Sequence, residues 1–195
     1  FAVCARGSRR KSEGKSYVLF VHNIVLCAMS LVMCLGTLDA TLKRHKEENG
    51  MDWFFCETRK GDRWLFYYYV SKYYELLDTV LAVLCGKPPR HYWMHAYHHF
   101  AVLYMASFYA QGQTLAVGGT LFNTFVHVPM YYYYARSALK LRTSWKAGIT
   151  RLQILQFCTS FVCLLVALYK RPNLFYSSDC LGRRALAFNC VFTAT

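Results

Sequence analysis

Apolar residues run in long blocks along this chain, and polar connections separate the blocks. The stretches cover about Tyr17 to Leu38, Trp64 to Cys85, Tyr92 to Ala110, Thr114 to Ala138 and Ile149 to Tyr169, and a sixth opens at Ala185. Each of the first five is close to the ~20 residues a helix needs to cross hydrocarbon. Near-continuous apolar runs lack the alternation of a membrane barrel, so strands are disfavoured. The pattern predicts an all-α, polytopic helical membrane protein with residues 1–195 forming one transmembrane domain. Pro88-Pro89 and Gly112 mark helix breaks, and Asn49-Gly50 marks a turn. The chain begins at Phe1 and ends inside an apolar run, which reads as an internal piece of a longer protein.

Composition supports the same class. Hydrophobic residues make up 55% and charged residues 17%, below the ~25% charged content usual for soluble domains. Sixteen tyrosines suit a membrane, since each ring is apolar and its hydroxyl can reach a headgroup or a polar cavity. The net charge of +13 sits in the connections and has no nucleic-acid motif beside it, so nucleic acid is not an expected partner. Membrane lipid or a phosphate-rich ligand fits better. The basic residues divide almost evenly between alternate connections, so they give no orientation. Nine cysteines include no C-x-x-C pair, and those in apolar runs, such as Cys27, Cys34, Cys158 and Cys163, read as small buried hydrophobes.

Four polar constellations interrupt the apolar blocks. Lys72-x-x-Glu75-x-x-Asp78-Thr79 spans an arc of about 120° on a helix. It is either an ion-pair ladder that locks packing or the support of a nearby site. His95, His98 and His99 form H-x-x-H-H within about 100°, at the edge of an apolar helix. Ionisable groups inside a membrane are functional by default. Asn123, His127, Met130 and Tyr134 share one stripe of the next helix, and Tyr131 to Tyr134 offer hydroxyls, some of which must face lipid. Thr150-x-x-Gln153-x-x-Gln156-Phe157 repeats the first spacing, although glutamines in hydrocarbon commonly serve as cross-helix glue. His22 and Asn23 interrupt the first stretch. His45, among charges, reads as solvated.

These motifs, in this order on successive helices, resemble the very-long-chain fatty acid elongase (ELO) family over about residues 17–195. H-x-x-H-H alone is a weak signal, but four motifs in order are specific. The resemblance implies a seven-helix endoplasmic-reticulum enzyme enclosing a substrate tunnel, here lacking its first helix and the end of its last. Its reaction would condense acyl-CoA with malonyl-CoA, giving a 3-ketoacyl-CoA, carbon dioxide and CoA, with no bound cofactor and no metal. His98 then maps to the nucleophile, forming an acyl-imidazole that splits the condensation into two easier steps. His127 maps to a second catalytic histidine for malonyl-CoA and proton transfer. His95 and His99 would orient the site, and Lys72, Glu75, Asp78, Asn123, Tyr131, Tyr134, Gln153 and Gln156 would support it.

The same resemblance places residues 1–16 and 136–148 in the cytosol. Lys87, Arg90, Arg142, Lys146 and Arg151 would then hold CoA phosphates or anchor headgroups. It also implies a lumenal disulfide, with Cys56 and Cys180 as candidates. The reductases and dehydratase of the elongation cycle, and a second copy of the chain, are the protein partners it allows. Two features depart from the family pattern: Pro129, inside the His127 stripe, and the poorly matching residues 172–184.

Two other readings stand beside this one. Membrane di-iron desaturases or hydroxylases also use H-x-x-H-H boxes, but they need more histidine ligands than the seven in this chain. A small-solute transporter would line its path with such polar stripes and should show broken helices, for which Gly118-Gly119 and Pro129 are the candidate positions.

Overall fold

The first apolar stretch begins at a residue able to cap it. Ser16 is extended (φ −111°) and accepts the Leu19 N–H on its hydroxyl oxygen at 3.4 Å. Helix α1 (Tyr17–Glu47) starts there. The computed structural model describes residues 16–48, 50–55, 62–86, 92–113 and 115–170. Its remaining helices are α2 (Asp52–Phe55), α3 (Arg63–Leu84), α4 (Tyr92–Ala110), α5 (Ala116–Ala138) and α6 (Lys146–Lys170). No strand occurs among the described residues. The sixth apolar stretch, from Ala185, lies outside them.

Helix α1 runs past the apolar stretch, which ends near Leu38, through a charged segment. Exposed Lys43 Nζ lies 2.7 Å from Asp39 Oδ2, and Arg44 Nε lies 3.1 Å from Glu48 Oε1. Such i,i+4 pairs each add a few tenths of a kcal/mol to a helix, roughly 0.2–0.5. Arg44 also lies over the buried Trp53 ring at 4.4 Å, which seats the short helix α2 against the end of α1. Asp62 caps α3, accepting the Trp64 N–H at 3.0 Å.

Four contacts fix how the helices alternate. The Ser16 N–H donates to the Ala138 carbonyl at 3.0 Å, and the Ser16 hydroxyl lies 3.8 Å from Cys85 Sγ. The start of α1 and the ends of α3 and α5 therefore share one end of the bundle. At the opposite end, α2 meets the end of α1 through Trp53 and the end of α6 through Lys170, which lies 5.1 Å over Phe55. Helix α1 packs most extensively along α5, α3 packs against α4, and α6 packs against α5. The core joins Met33, Leu65, Tyr68, Met105, Ala106 and Phe108. Leu26, Met130, Tyr131 and Ile149 make a second cluster nearer the Ser16 end.

Helices α1 and α6 are long and apolar enough to cross a membrane. Helices α3, α4 and α5 carry their polar groups inward and expose Phe66, Val80, Phe100, Tyr104, Phe125 and Tyr132 outward. So much apolar surface would be a liability in water and is suited to lipid. The chain is a helical membrane protein.

Helix α5 runs unbroken through Gly118, Gly119 and Pro129. The two glycines are places of close approach: a Cβ on Gly118 would collide with the Phe54 ring, and one on Gly119 with the Tyr109 ring. The break that a transport path would need at these positions is not present. Cys34 is buried as expected, Cys27 and Cys163 are only half-buried, and Cys158 is exposed on the outer face of α6.

Candidate active site

The site begins with an ammonium group held inside the bundle. Lys72 and Glu75 are each 3% exposed. Lys72 Nζ donates to the two Glu75 carboxylate oxygens at 2.8 and 3.0 Å and to Asn123 Oδ1 at 2.8 Å. Its three hydrogens are thereby matched to three acceptors, and the Tyr68 ring lies beneath it at 4.4 Å. The Tyr68 hydroxyl donates to the same Asn123 oxygen at 2.9 Å, so two donors fix the orientation of that amide. Tyr68 is in turn stacked on Tyr109. One face of α3 and one stripe of α5 are thus joined by a buried, charge-balanced network.

His127 lies next to this network. Its Nδ1 is buried, 3.7 Å from Glu75 Oε1, beyond hydrogen-bond range but within reach of an ion pair. Among the described residues, no hydrogen-bond partner meets that nitrogen. The imidazole stands edge-on to Tyr131 at 5.2 Å. A buried ring nitrogen next to a carboxylate and otherwise unengaged can take or give a proton during a reaction.

Asp78, the third member of the α3 face, turns to a different histidine. Its Oδ1 lies 2.6 Å from His22 Nε2 on α1, and its Oδ2 accepts the Tyr131 hydroxyl at 3.0 Å. His22 Nδ1 meets the Tyr74 hydroxyl at 3.3 Å. The residual negative charge of the Lys72-Glu75-Asp78 face is therefore partnered by His22 and Tyr131, both buried. Sequence reasoning passed over His22 because it belongs to no box. The available signal was a histidine within an apolar span.

His95, His98 and His99 are half-buried on one face of α4. His95 Nε2 lies 3.1 Å from His99 Nε2, which requires one ring to donate and the other to accept. His98 stands edge-on to His99 at 6.0 Å and within electrostatic range of His127 and Lys72. His95, His22, Asn23, Asp78 and Tyr134 line a cavity of about 370 Å³ that reaches Ser137 and Ala138 at the Ser16 end of the bundle. Tyr131 is buried, whereas Tyr134 is exposed at this cavity. Among the described residues, no three His, Cys, Asp or Glu side chains come together in a way that could hold a metal ion.

The glutamines of α6 contribute differently. Gln153 Nε2 reaches Met130 Sδ at 3.4 Å, a cross-helix contact, and Gln156 is half-buried on the same helix. Arg142, Lys146 and Arg151 are exposed at the Ser16 end, and Arg136 Nη2 donates to the Arg142 carbonyl at 3.2 Å. Lys87, Arg90, Cys56 and Cys180 lie outside the described residues.

With this geometry in view, comparison with known proteins places the chain. The GNS1/SUR4 (ELO) family profile matches residues 5–195, and the chain belongs to that family. It is 40% identical over 165 residues to a putative fatty acid elongase of Dictyostelium discoideum, covering 81% of this chain and 53% of that protein. It is 31% identical over 192 residues to putative fatty acid elongase 1 of Schizosaccharomyces pombe, covering 93% and 57%. Fatty acid elongase 4 of Trypanosoma brucei brucei is 31% identical over 167 residues, covering 82% and 61%. The chain therefore spans a little over half the length of these curated relatives.

Proposed function

We propose that this chain is the catalytic part of a fatty acid elongase that carries out the condensing step. An acyl-CoA and malonyl-CoA would give a 3-ketoacyl-CoA two carbons longer, with release of carbon dioxide and CoA. The observation that carries the reading is the pairing of two features in one membrane bundle of this family. One is the H-x-x-H-H face of α4, and the other is the buried Lys72–Glu75–Asn123 network with His127 beside it.

His98 is the nucleophile in this reading. A neutral imidazole attacks the thioester carbonyl, and the acyl group moves to a ring nitrogen as the C–S electron pair leaves with sulfur. His127, with its unengaged Nδ1, faces malonyl-CoA as decarboxylation creates the carbanion that displaces the imidazole. His95 and His99, locked to each other, hold the α4 face in place. Lys72, Glu75 and Asn123 fix the floor beneath His127. The acyl chain lies in the apolar interior, and Arg142, Lys146 and Arg151 suit CoA phosphates at the Ser16 end. That end would be cytosolic, in the endoplasmic-reticulum membrane.

The test uses full-length protein in membranes, a panel of acyl-CoAs and labelled malonyl-CoA, with His98→Ala as the control. Label should appear in a 3-ketoacyl product and vanish in the control. A well-folded protein that labels nothing with any acyl-CoA would refute the reading.

A further inference from the structure

The condensation consumes one proton per turnover, since the departing CoA sulfur leaves as a thiolate and is released as a thiol. His98 donates no proton as it attacks, and the proton transfer assigned to His127 belongs to the malonyl-CoA step that follows. A thiolate forming among apolar helices needs an acid close by, because an uncompensated charge there is costly.

The cavity points to where that acid must be. Helix α3 ends at the Ser16 end of the bundle, and α4 starts a short link later. His95 is therefore nearer the cavity mouth, and His98 lies about one turn further in. An acyl chain running inward past His98 leaves its CoA pointing outward, so the sulfur sits on the mouth side of His98. That side is walled by His95 and, across from it, by His22 and Asp78.

We propose that His22 is a third catalytic histidine, delivering the proton that the CoA thiolate takes up; this rests on the elongase reading above. The surroundings of His22 suit both charge states. Asp78 Oδ1 holds Nε2 at 2.6 Å, and the Tyr131 hydroxyl holds the other Asp78 oxygen at 3.0 Å. A carboxylate so placed orients an imidazole and stabilises its protonated form, as in a hydrolase triad. The 3.3 Å contact of Nδ1 with Tyr74 works in either direction: the hydroxyl donates to a neutral ring and accepts from a charged one. Nδ1 carries the less tightly held proton, and it is the one transferred.

The step balances. The carbonyl carbon bonds to His98, the C–S pair goes to sulfur, and sulfur takes the Nδ1 proton. His22 becomes neutral and His98 becomes an acylimidazolium. The malonyl carbanion then discharges that cation as it forms the new carbon–carbon bond, and solvent reprotonates His22. The titratable groups facing His22 are Asp78 and Tyr74 from α3, Tyr131 and Tyr134 from α5, and His95 from α4.

The experiment follows the first turnover of the full-length enzyme in membranes, without malonyl-CoA, by the thiol released. One substrate is an acyl-CoA, and the other is the same acyl chain as a nitrothiophenyl thioester, whose thiolate leaves without a proton. His22→Gln should slow release from acyl-CoA by about 100-fold or more and release from the aryl thioester by less than about threefold. The wild type provides an arm that needs no variant to fold. Its acyl-CoA release should slow in deuterated buffer, because a proton moves as the thiolate departs, whereas its aryl thioester release should not. Equal solvent isotope effects on the two substrates, from an enzyme that makes elongated product, overturn this inference alone. A wild type that makes no elongated product overturns the elongase reading with it.

Discussion

Removing the buried ammonium separates the structural part of the network from its chemical part. Lys72→Met leaves the Glu75 carboxylate, itself 3% exposed, with no matched cation and His127 3.7 Å away, and it takes a donor from Asn123 Oδ1. Breaking a buried pair on one side costs about 3–5 kcal/mol, whereas replacing both partners with apolar groups is often neutral or better. At about 2–4 °C per kcal/mol for a chain of this size, the single variant should melt about 6–20 °C lower. Lys72→Met with Glu75→Leu should regain most of that loss. The assay is thermal unfolding of the full-length protein in detergent, with elongation measured in parallel. Activity should stay absent in the double variant, because the floor beneath His127 is gone. A double variant as unstable as the sum of its singles would refute the pairing. Restored activity in the double variant would make the network packing alone.

Tyr131→Phe removes the hydroxyl that satisfies Asp78 Oδ2 and should cost about 1–3 kcal/mol in thermal unfolding; an unchanged midpoint would contradict the bond. Gly119→Ala drives a methyl into the Tyr109 ring, which stacks on Tyr68. It should destabilise by about 1–3 kcal/mol and lower elongation through Tyr68 and Asn123, with partial recovery on adding Tyr109→Leu. Gln153→Leu loses only a contact to a thioether and should change stability by less than about 1 kcal/mol while leaving elongation within a few-fold.

The helices and their polar faces were legible because both depend on local periodicity. Apolar runs of bilayer length located α3 to α6, and spacing of three and four residues put Lys72 with Glu75 and Asn123 with His127 on common faces. Hydropathy marks the membrane, not the helix end, which is why α1 outruns Leu38 on charge pairs and α2 went unseen. Pairing between helices was not legible, because it depends on packing between distant segments. Nothing in the order of residues says that Asp78 meets His22 while Glu75 takes Lys72 and approaches His127. Tyr131 and Tyr134 look alike in sequence, yet one is buried on Asp78 and the other is exposed at a cavity.

In the proposed condensation an imidazole on α4 carries the acyl group. Full-length enzyme incubated with an acyl-CoA, without malonyl-CoA, and quenched for peptide mass spectrometry tests it most directly. An acyl mass increment is expected on His98, and it should disappear when malonyl-CoA is added. An enzyme that elongates yet carries the acyl group on another residue, or on none, would contradict it.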